Sequence, residues 1–488
     1  MKKTNVLLTA LLVLPLLLSA KTTTIYHTSD VHGFFYPHDG KGGYAALAAL
    51  MEKGPQEYLL LDSGDFANGT AETRYSKGFK AATIMNKMGY DATTVGNHEF
   101  DFKNAGFAPL IAQFNFPVLA ANMFEKNTMK YPPHISPYQI YDVDGVKVAV
   151  IGLANRNPTN DATDYYFNKP FDALENALAS AEKQNPNFVV VLVHDSIADD
   201  KHGEKPYVLQ IADKFGGRVH VVLGGHAHKI VQNRYENGVL FVESGSYLEN
   251  VSKISINTDD KTGKFVSAKS QLIPLVIAET GEDEEIKKFV DALREPGIDD
   301  IVGETKEVLE KNPVSKEQLD SPLNDWIADL MKNYSGAPIA IHNNGGARIS
   351  LPKGQITKRD LIELHPFDND IVNVTVDGRF LKRFIKTGFA PRSLFTYSGL
   401  DITYKTDKKG RIKNIEILFN GKPLENDKKY VVTTNSHIAY GGSEGYLFKK
   451  IDNTQKHKVG TKTIRTLAED AIRAGKTKAP HTGRIHRI

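Results

Sequence analysis

Five short apolar runs in the first half of the chain each end on aspartate, histidine or asparagine, and this pattern limits the fold more than any other feature of the sequence. Thr22 to Tyr26 leads into His27-Thr28-Ser29-Asp30-Val31-His32-Gly33. Tyr58-Leu59-Leu60-Leu61 ends in Asp62-Ser63-Gly64-Asp65-Phe66-Ala67-Asn68-Gly69. Asp91 to Val95 leads into Gly96-Asn97-His98-Glu99-Phe100-Asp101, where Gly96 is expected to allow a sharp turn. Phe188 to Val193, the clearest strand candidate, ends in His194-Asp195-Ser196. Val219 to Leu223 ends in Gly224-Gly225-His226-Ala227-His228. β-Branched and aromatic runs closed by Gly, Asp and Ser predict strands. Others are expected at 116–120, 147–153 and 239–242. Helical patterns alternate with them, through Leu47, Leu50 and Met51 and again through Phe79, Ile84 and Met88. The fold class is therefore α/β.

A single histidine after a strand is ordinarily a core or loop residue, and Asn97-His98-Glu99 alone could be a capped helix start. Five such strand ends together carry more weight. Ligands brought from one edge of a β framework can share a cation. The donors here are oxygen and nitrogen, and the chain has no cysteine. Such a set suits zinc, manganese or another first-row divalent ion. Asp30, His32, Asp65, Asn97, His194, His226 and His228 exceed the roughly four ligands of one tetrahedral zinc. Two divalent metal ions sharing a bridging carboxylate would use them all. His98 can donate a hydrogen bond to a departing oxyanion. Asp101, three residues on, shares its face if a helical turn starts there, and would fix the tautomer of His98.

The 488 residues suggest two or three domains. Lys and Arg number 61 against 58 Asp and Glu, so nothing in the charge calls for a nucleic-acid partner. Lys2 and Lys3, an apolar stretch from Val6 to Leu18, and Ser19-Ala20 read as a secretory signal over 1–20, with a membrane anchor as the alternative. Cleavage would leave no stable membrane anchor, and the expected location is periplasmic or secreted. No later segment is long and apolar enough to span a bilayer. Asp283 to Leu293 predicts an amphipathic helix stopped by Pro296-Gly297. We take 281–304 as a helical linker between a first domain, 21–280, and a second, 305–488. In the second, Leu319, Leu323, Trp326, Ile327, Leu330 and Met331 form a helical core stripe. Pro338 to His342 reads as a strand, followed by Asn343-Asn344-Gly345-Gly346-Ala347-Arg348, a tight turn with a guanidinium at its exit.

Taken in order, His27 to Gly33, Gly64 to Gly69, Gly96 to Asp101, His194-Asp195 and Gly224 to His228 resemble the calcineurin-like metallophosphoesterases. The likeness is to the secreted bacterial 5′-nucleotidase and UDP-sugar hydrolase branch. It implies a two-sheet sandwich flanked by helices, joined through a hinge to a smaller α/β substrate-binding domain. Carried over by position, Asp30, His32, Asp65 and His228 would hold one metal. Asp65, Asn97, His194 and His226 would hold the other. His98 and Asp101 would be the catalytic pair. The loop with Asn344, Gly346 and Arg348 would open the substrate site, its arginine contacting a nucleotide.

Family members that bind a nucleobase stack it between two aromatic rings. The first position falls in Arg392-Ser393-Leu394-Phe395, where Leu394 takes the aromatic place unless the register slips to Phe395. The second falls on His437. The expected activity is release of phosphate from nucleoside 5′-monophosphates, with UDP-sugars as further substrates. The alternatives are the same chemistry on a 2′,3′-cyclic nucleotide, a sugar phosphate or a sulfur ester, and a non-enzymatic periplasmic binding protein.

Overall fold

The computed structural model describes residues 20–155, 164–198, 206–313, 315, 317–389, 394–407, 412–478, 480 and 483–488. The secretory signal expected at the N-terminus lies outside them, apart from Ala20. No helix among the described residues is long and apolar enough to cross a membrane.

Two sheets form the first domain. One has seven strands, in the order Phe265–Pro274, Asn250–Asp259, Ala20–Thr28, Leu59–Asp62, Ala92–Thr94, Val118–Leu119 and Ile135–Ser136. The other has six, in the order Ile230–Glu236, Val239–Ser244, Val221–Gly224, Phe188–Val193, Val146–Leu153 and Tyr138–Val143. Both are parallel at their centres, from Ala20–Thr28 through Ile135–Ser136 and from Val239–Ser244 through Val146–Leu153. Parallel strands are buried on both faces, which is why Phe188–Val193 is apolar throughout. Phe188, Val190 and Leu192 point into the space between the sheets, beside Ile25, Leu61 and Val221. Val189, Val191 and Val193 point the other way, against the helix Pro170–Ala181 through Leu174 and Leu178. Each such side chain contributes about 1.5–3 kcal/mol on burial. The helices Tyr44–Glu52 and Phe79–Met88 cover the outer face of the first sheet.

The helix Glu284–Ala292 is capped by Asp283, whose Oδ1 accepts the N–H of Ile286 at 2.7 Å. The sequence reads as a linker here. Its apolar residues Ile286 and Val290 instead pack into the core of the first domain. The chain has crossed over by Ile301–Thr305, a strand that pairs with Gly354–Thr357.

The second domain is built on five strands, in the order Phe395–Ser398, Ile339–Asn343, Lys429–Asn435, Asp370–Asp377 and Lys456–Thr463. The helices Pro322–Ser335 and Ile464–Arg473 cover one face, and Gly378–Gly388 covers the other. The expected stripe lies in Pro322–Ser335 except for Leu319, which precedes the helix.

One short helix of the first domain, Ala71–Ser76, docks against the second. Ala71 packs on Ile298 and Ile362. Glu72, fully buried, accepts a bidentate pair of hydrogen bonds from Arg359 at 2.7 and 2.8 Å. Arg74 pairs with Asp368, which also accepts from Arg465 at 2.6 Å.

Candidate active site

The C-terminal ends of parallel strands are where α/β sheets gather ligands. Asp30 and His32 follow Ala20–Thr28, Asp65 follows Leu59–Asp62, and Asn97 and His98 follow Ala92–Thr94. From the second sheet, His194 follows Phe188–Val193, and His226 and His228 follow Val221–Gly224. The backbone at five of these positions is left-handed: φ is 51° at Asp30, 51° at His32, 59° at Asp65, 79° at His226 and 57° at His228. Such conformations are uncommon outside glycine and gather at functional sites. Hydrogen bonds from Asp30 N to Gly64 O (3.0 Å) and from His32 N to Asp65 O (2.9 Å) tie the first two loops together.

The side chains form two clusters that share Asp65. In one, Asp30 Oδ1 lies 3.5 Å from His228 Nε2, which is 3.2 Å from His32 Nε2. His32 Nε2 is 3.9 Å from Asp65 Oδ2. In the other, Asp65 Oδ2 lies 3.0 Å from His194 Nε2, and Asn97 Oδ1 lies 2.9 Å from His226 Nδ1. The N–H of His226 bridges the clusters, donating to both oxygens of Asp30 at 3.0 Å.

These residues fit a cation. His32 Nδ1 donates to Asn68 O at 2.7 Å and His194 Nδ1 to Ser63 O at 2.6 Å. A carbonyl only accepts, so in the neutral ring each Nε2 carries a lone pair turned inward. His194 Nε2 is buried with no hydrogen-bond donor. Burial, and then the charge of Arg348, hold His32 and His228 neutral, the latter at about 3. Burial and His194 hold His226 near 4. Neutral imidazole is the ligating form. At His194 burial is outweighed by Asp65, and the ring rises to about 10.

His98 begins a single 3₁₀ turn, His98–Phe100. That turn brings its Nδ1 to 2.7 Å from Asp101 Oδ2, which also accepts Asn68 Nδ2 at 2.7 Å. Burial opposes protonation of His98, but Asp101 and Asp65 prevail and raise it to about 9. The second domain reaches this point twice. The ring of Phe367 packs on His98 at 5.8 Å between centroids, and Arg348 Nη2 lies 3.4 Å from His32 Nε2.

Glu99 is not singled out by its sequence, yet its buried carboxylate accepts the N–H groups of Asp65, Phe66, Ala67 and Gly96. Gly96 is not left-handed. Glycine is required there because a Cβ would lie 2.7 Å from Asp65 N.

On the second domain, Ile339–Asn343 runs parallel to Lys429–Asn435 and antiparallel to Phe395–Ser398. The Arg348 loop, Leu394 and His437 therefore leave the sheet at one edge. Asn435 Nδ2 donates to Asn343 Oδ1 at 2.7 Å and joins two of these segments. Asn344 Oδ1 accepts from Thr396 Oγ1 at 2.8 Å, and Asn344 N donates to Leu394 O at 3.0 Å. Gly346 is closely packed: a Cβ there would lie 3.0 Å from the His342 ring, which would have to give way by a few tenths of an ångström. His437, partly exposed, sits in the short helix Ser436–Ala439.

Phe395 is corrected. It is 1% exposed and packs on Phe384 at 4.7 Å, so its ring belongs to the core and not to a substrate site. Leu394 holds the partly exposed position beside it. Arg392 lies outside the described residues.

Residues 23–230 match the family model described as calcineurin-like phosphoesterase, and residues 301–450 match that of the 5′-nucleotidase C-terminal domain. The chain is 27% identical to a 5′-nucleotidase of Vibrio cholerae over 87% of its own length and 85% of the relative's. It is 27% identical to the endonuclease YhcR of Bacillus subtilis over 82% of its own length, and spans only 34% of that relative. The crystal structure of a 5′-nucleotidase precursor from Thermus thermophilus superposes with a TM-score of 0.81 at 24% identity, over 96% of this chain and 99% of that one.

Proposed function

We propose that this chain, which belongs to the calcineurin-like phosphoesterases that carry a 5′-nucleotidase C-terminal domain, hydrolyses nucleoside 5′-monophosphates with two divalent cations. The observation that carries the reading is the convergence of Asp30, His32, Asp65, Asn97, His194, His226 and His228 on Asp65, with Arg348 arriving from the other domain. Zinc or manganese suits the oxygen and nitrogen donors. Asp30, His32, Asp65 and His228 would hold one ion, and Asp65, Asn97, His194 and His226 the other. What bound divalent cations supply is Lewis acidity and a nucleophile at neutral pH.

Water adds to phosphorus, the ester P–O bond breaks, and the alcohol leaves as phosphate is released. Protonated His98 donates to the oxygen on which charge develops, and Asp101 holds Nδ1 so that Nε2 faces that oxygen. Arg348 would grip the phosphate with its forked N–H groups. Asn344, Gly346 and His437 would line the leaving-group side. The N-terminal leader pattern supports a periplasmic or secreted protein, and the Vibrio relative, named a 5′-nucleotidase, supports small nucleotide substrates.

A second reading is the same hydrolysis on another ester. It is favoured by one observation: Phe395 and Tyr397, the rings closest in sequence to the first base position, are core residues. The experiment is product release from AMP and a sugar phosphate (inorganic phosphate), a 2′,3′-cyclic nucleotide (the ring-opened monophosphate) and a UDP-sugar (UMP and the sugar phosphate), each with Mn²⁺ or Zn²⁺ and each with EDTA. EDTA-sensitive preference for AMP supports the first reading. EDTA-sensitive release from the others alone supports the second. EDTA-insensitive release, or none, overturns both.

A further inference from the structure

The geometry points to Glu99 as the residue that positions the two metal-binding loops relative to one another, a role that rests on the function proposed above. Its side chain is fully buried. Oε1 accepts the N–H groups of Phe66 at 2.9 Å and Ala67 at 3.1 Å. Oε2 accepts those of Asp65 at 3.1 Å and Gly96 at 2.6 Å. Three of the four donors are consecutive in the loop that carries Asp65. The fourth lies in the loop that carries Asn97 and His98.

Successive N–H groups around a left-handed residue make a concave anion cradle. Asp65, with φ of 59°, is that residue. A non-glycine residue keeps such a backbone where its surroundings over-determine it, and the Glu99 bonds do so. The same turn aims the Asp65 side chain. Its Oδ2 meets His194 Nε2 at 3.0 Å and His32 Nε2 at 3.9 Å, while Oδ1 accepts the N–H of His98 at 2.8 Å. One oxygen of Glu99 thus joins the bridging ligand's backbone to the backbone just before Asn97. All four partners are donors, and a carboxylate is acceptor-only when ionised. An amide would present its own N–H groups to two of them.

The test uses the full chain stripped with EDTA and titrated with Mn²⁺ or Zn²⁺, read by calorimetry and by metal content after dialysis. Glu99→Gln should bind about 10–100-fold more weakly than wild type and retain fewer than two ions. Glu99→Asp, which keeps the charge on a shorter arm, should fall between. Asp91→Ala is the control for a purely structural loss. Asp91 accepts the N–H of Leu60 at 2.8 Å, just before the strand Ala92–Thr94 and at its end away from Asn97, so this variant should lose stability and keep both ions. Wild-type affinity and stoichiometry in Glu99→Gln overturns the role. If Glu99→Gln does not fold, the same result in folded Glu99→Asp overturns it. A wild-type chain that binds no ion overturns the proposed function, and this role with it.

Discussion

The guanidinium of Arg348 lies 3.4 Å from Nε2 of His32, although the two residues belong to different domains. A phosphate held by the ligand cluster would therefore meet a cation from across the cleft. Arg348→Ala should lower kcat/KM about 100-fold, the loss typical of one donor at a developing charge. Metal content should not change, since the arginine is no ligand. An unaltered kcat/KM would remove Arg348 from the substrate site.

His98 stands within one cluster with His32 and Asp65, and it also bonds Asp101. As a proton donor it should be worth about 10²–10⁴ in turnover. His98→Ala should lose that factor and keep both ions. Loss of an ion together with turnover would make His98 a ligand instead.

The two clusters make different demands. Asp65 faces His32 of one at 3.9 Å and His194 of the other at 3.0 Å, whereas His228 belongs to one. Asp65→Asn should retain neither ion and His228→Ala about one, read by metal analysis after dialysis. Binding to the folded state alone adds about 2.7 kcal/mol when free metal is a hundredfold above Kd. EDTA should therefore lower the melting temperature of wild type and leave that of Asp65→Asn unmoved.

Glu363 sits 3.6 Å from Arg359, a guanidinium already committed to Glu72. Burial raises Glu363 from 4.5 to about 8, against the pull of Arg359. A carboxyl raised on folding contributes stability that is complete below its unfolded value and is lost as pH rises through its folded one. Wild type should therefore lose stability relative to Glu363→Gln between pH 4.5 and about 8, followed by urea unfolding across that range. A difference that does not vary with pH would mean that Glu363 is ionised in the folded protein.

The strand ends were legible because each carries its signal locally. The run Phe188–Val193 is apolar at every position, and the candidate ligand His194 is the next residue. Glu99 was not legible, because its partners are backbone N–H groups, three of them on a loop more than thirty residues earlier, and leave no side-chain pattern. The slip between Leu394 and Phe395 is a strand's own ambiguity: one residue of register exchanges the two faces. The apolar stripe of Glu284–Ala292 marked a helix, but a stripe does not name its partner, which proved to be the first domain's core. Gly96 reads as a turn in the sequence, whereas close approach by the backbone of Asp65 demands it.

The left-handed backbone at Asp30, His32, Asp65, His226 and His228 also restricts what evolution or an engineer can write there. Aspartate, asparagine and histidine are the side-chain-bearing residues most at ease in that conformation. They are also the hard and borderline donors that separate manganese-like from zinc-like sites. If these residues hold the proposed cations, exchanges within this three-letter alphabet would retune metal preference with the loops left as they are. A β-branched residue at the same positions would have to remake the loop before it could touch the ion.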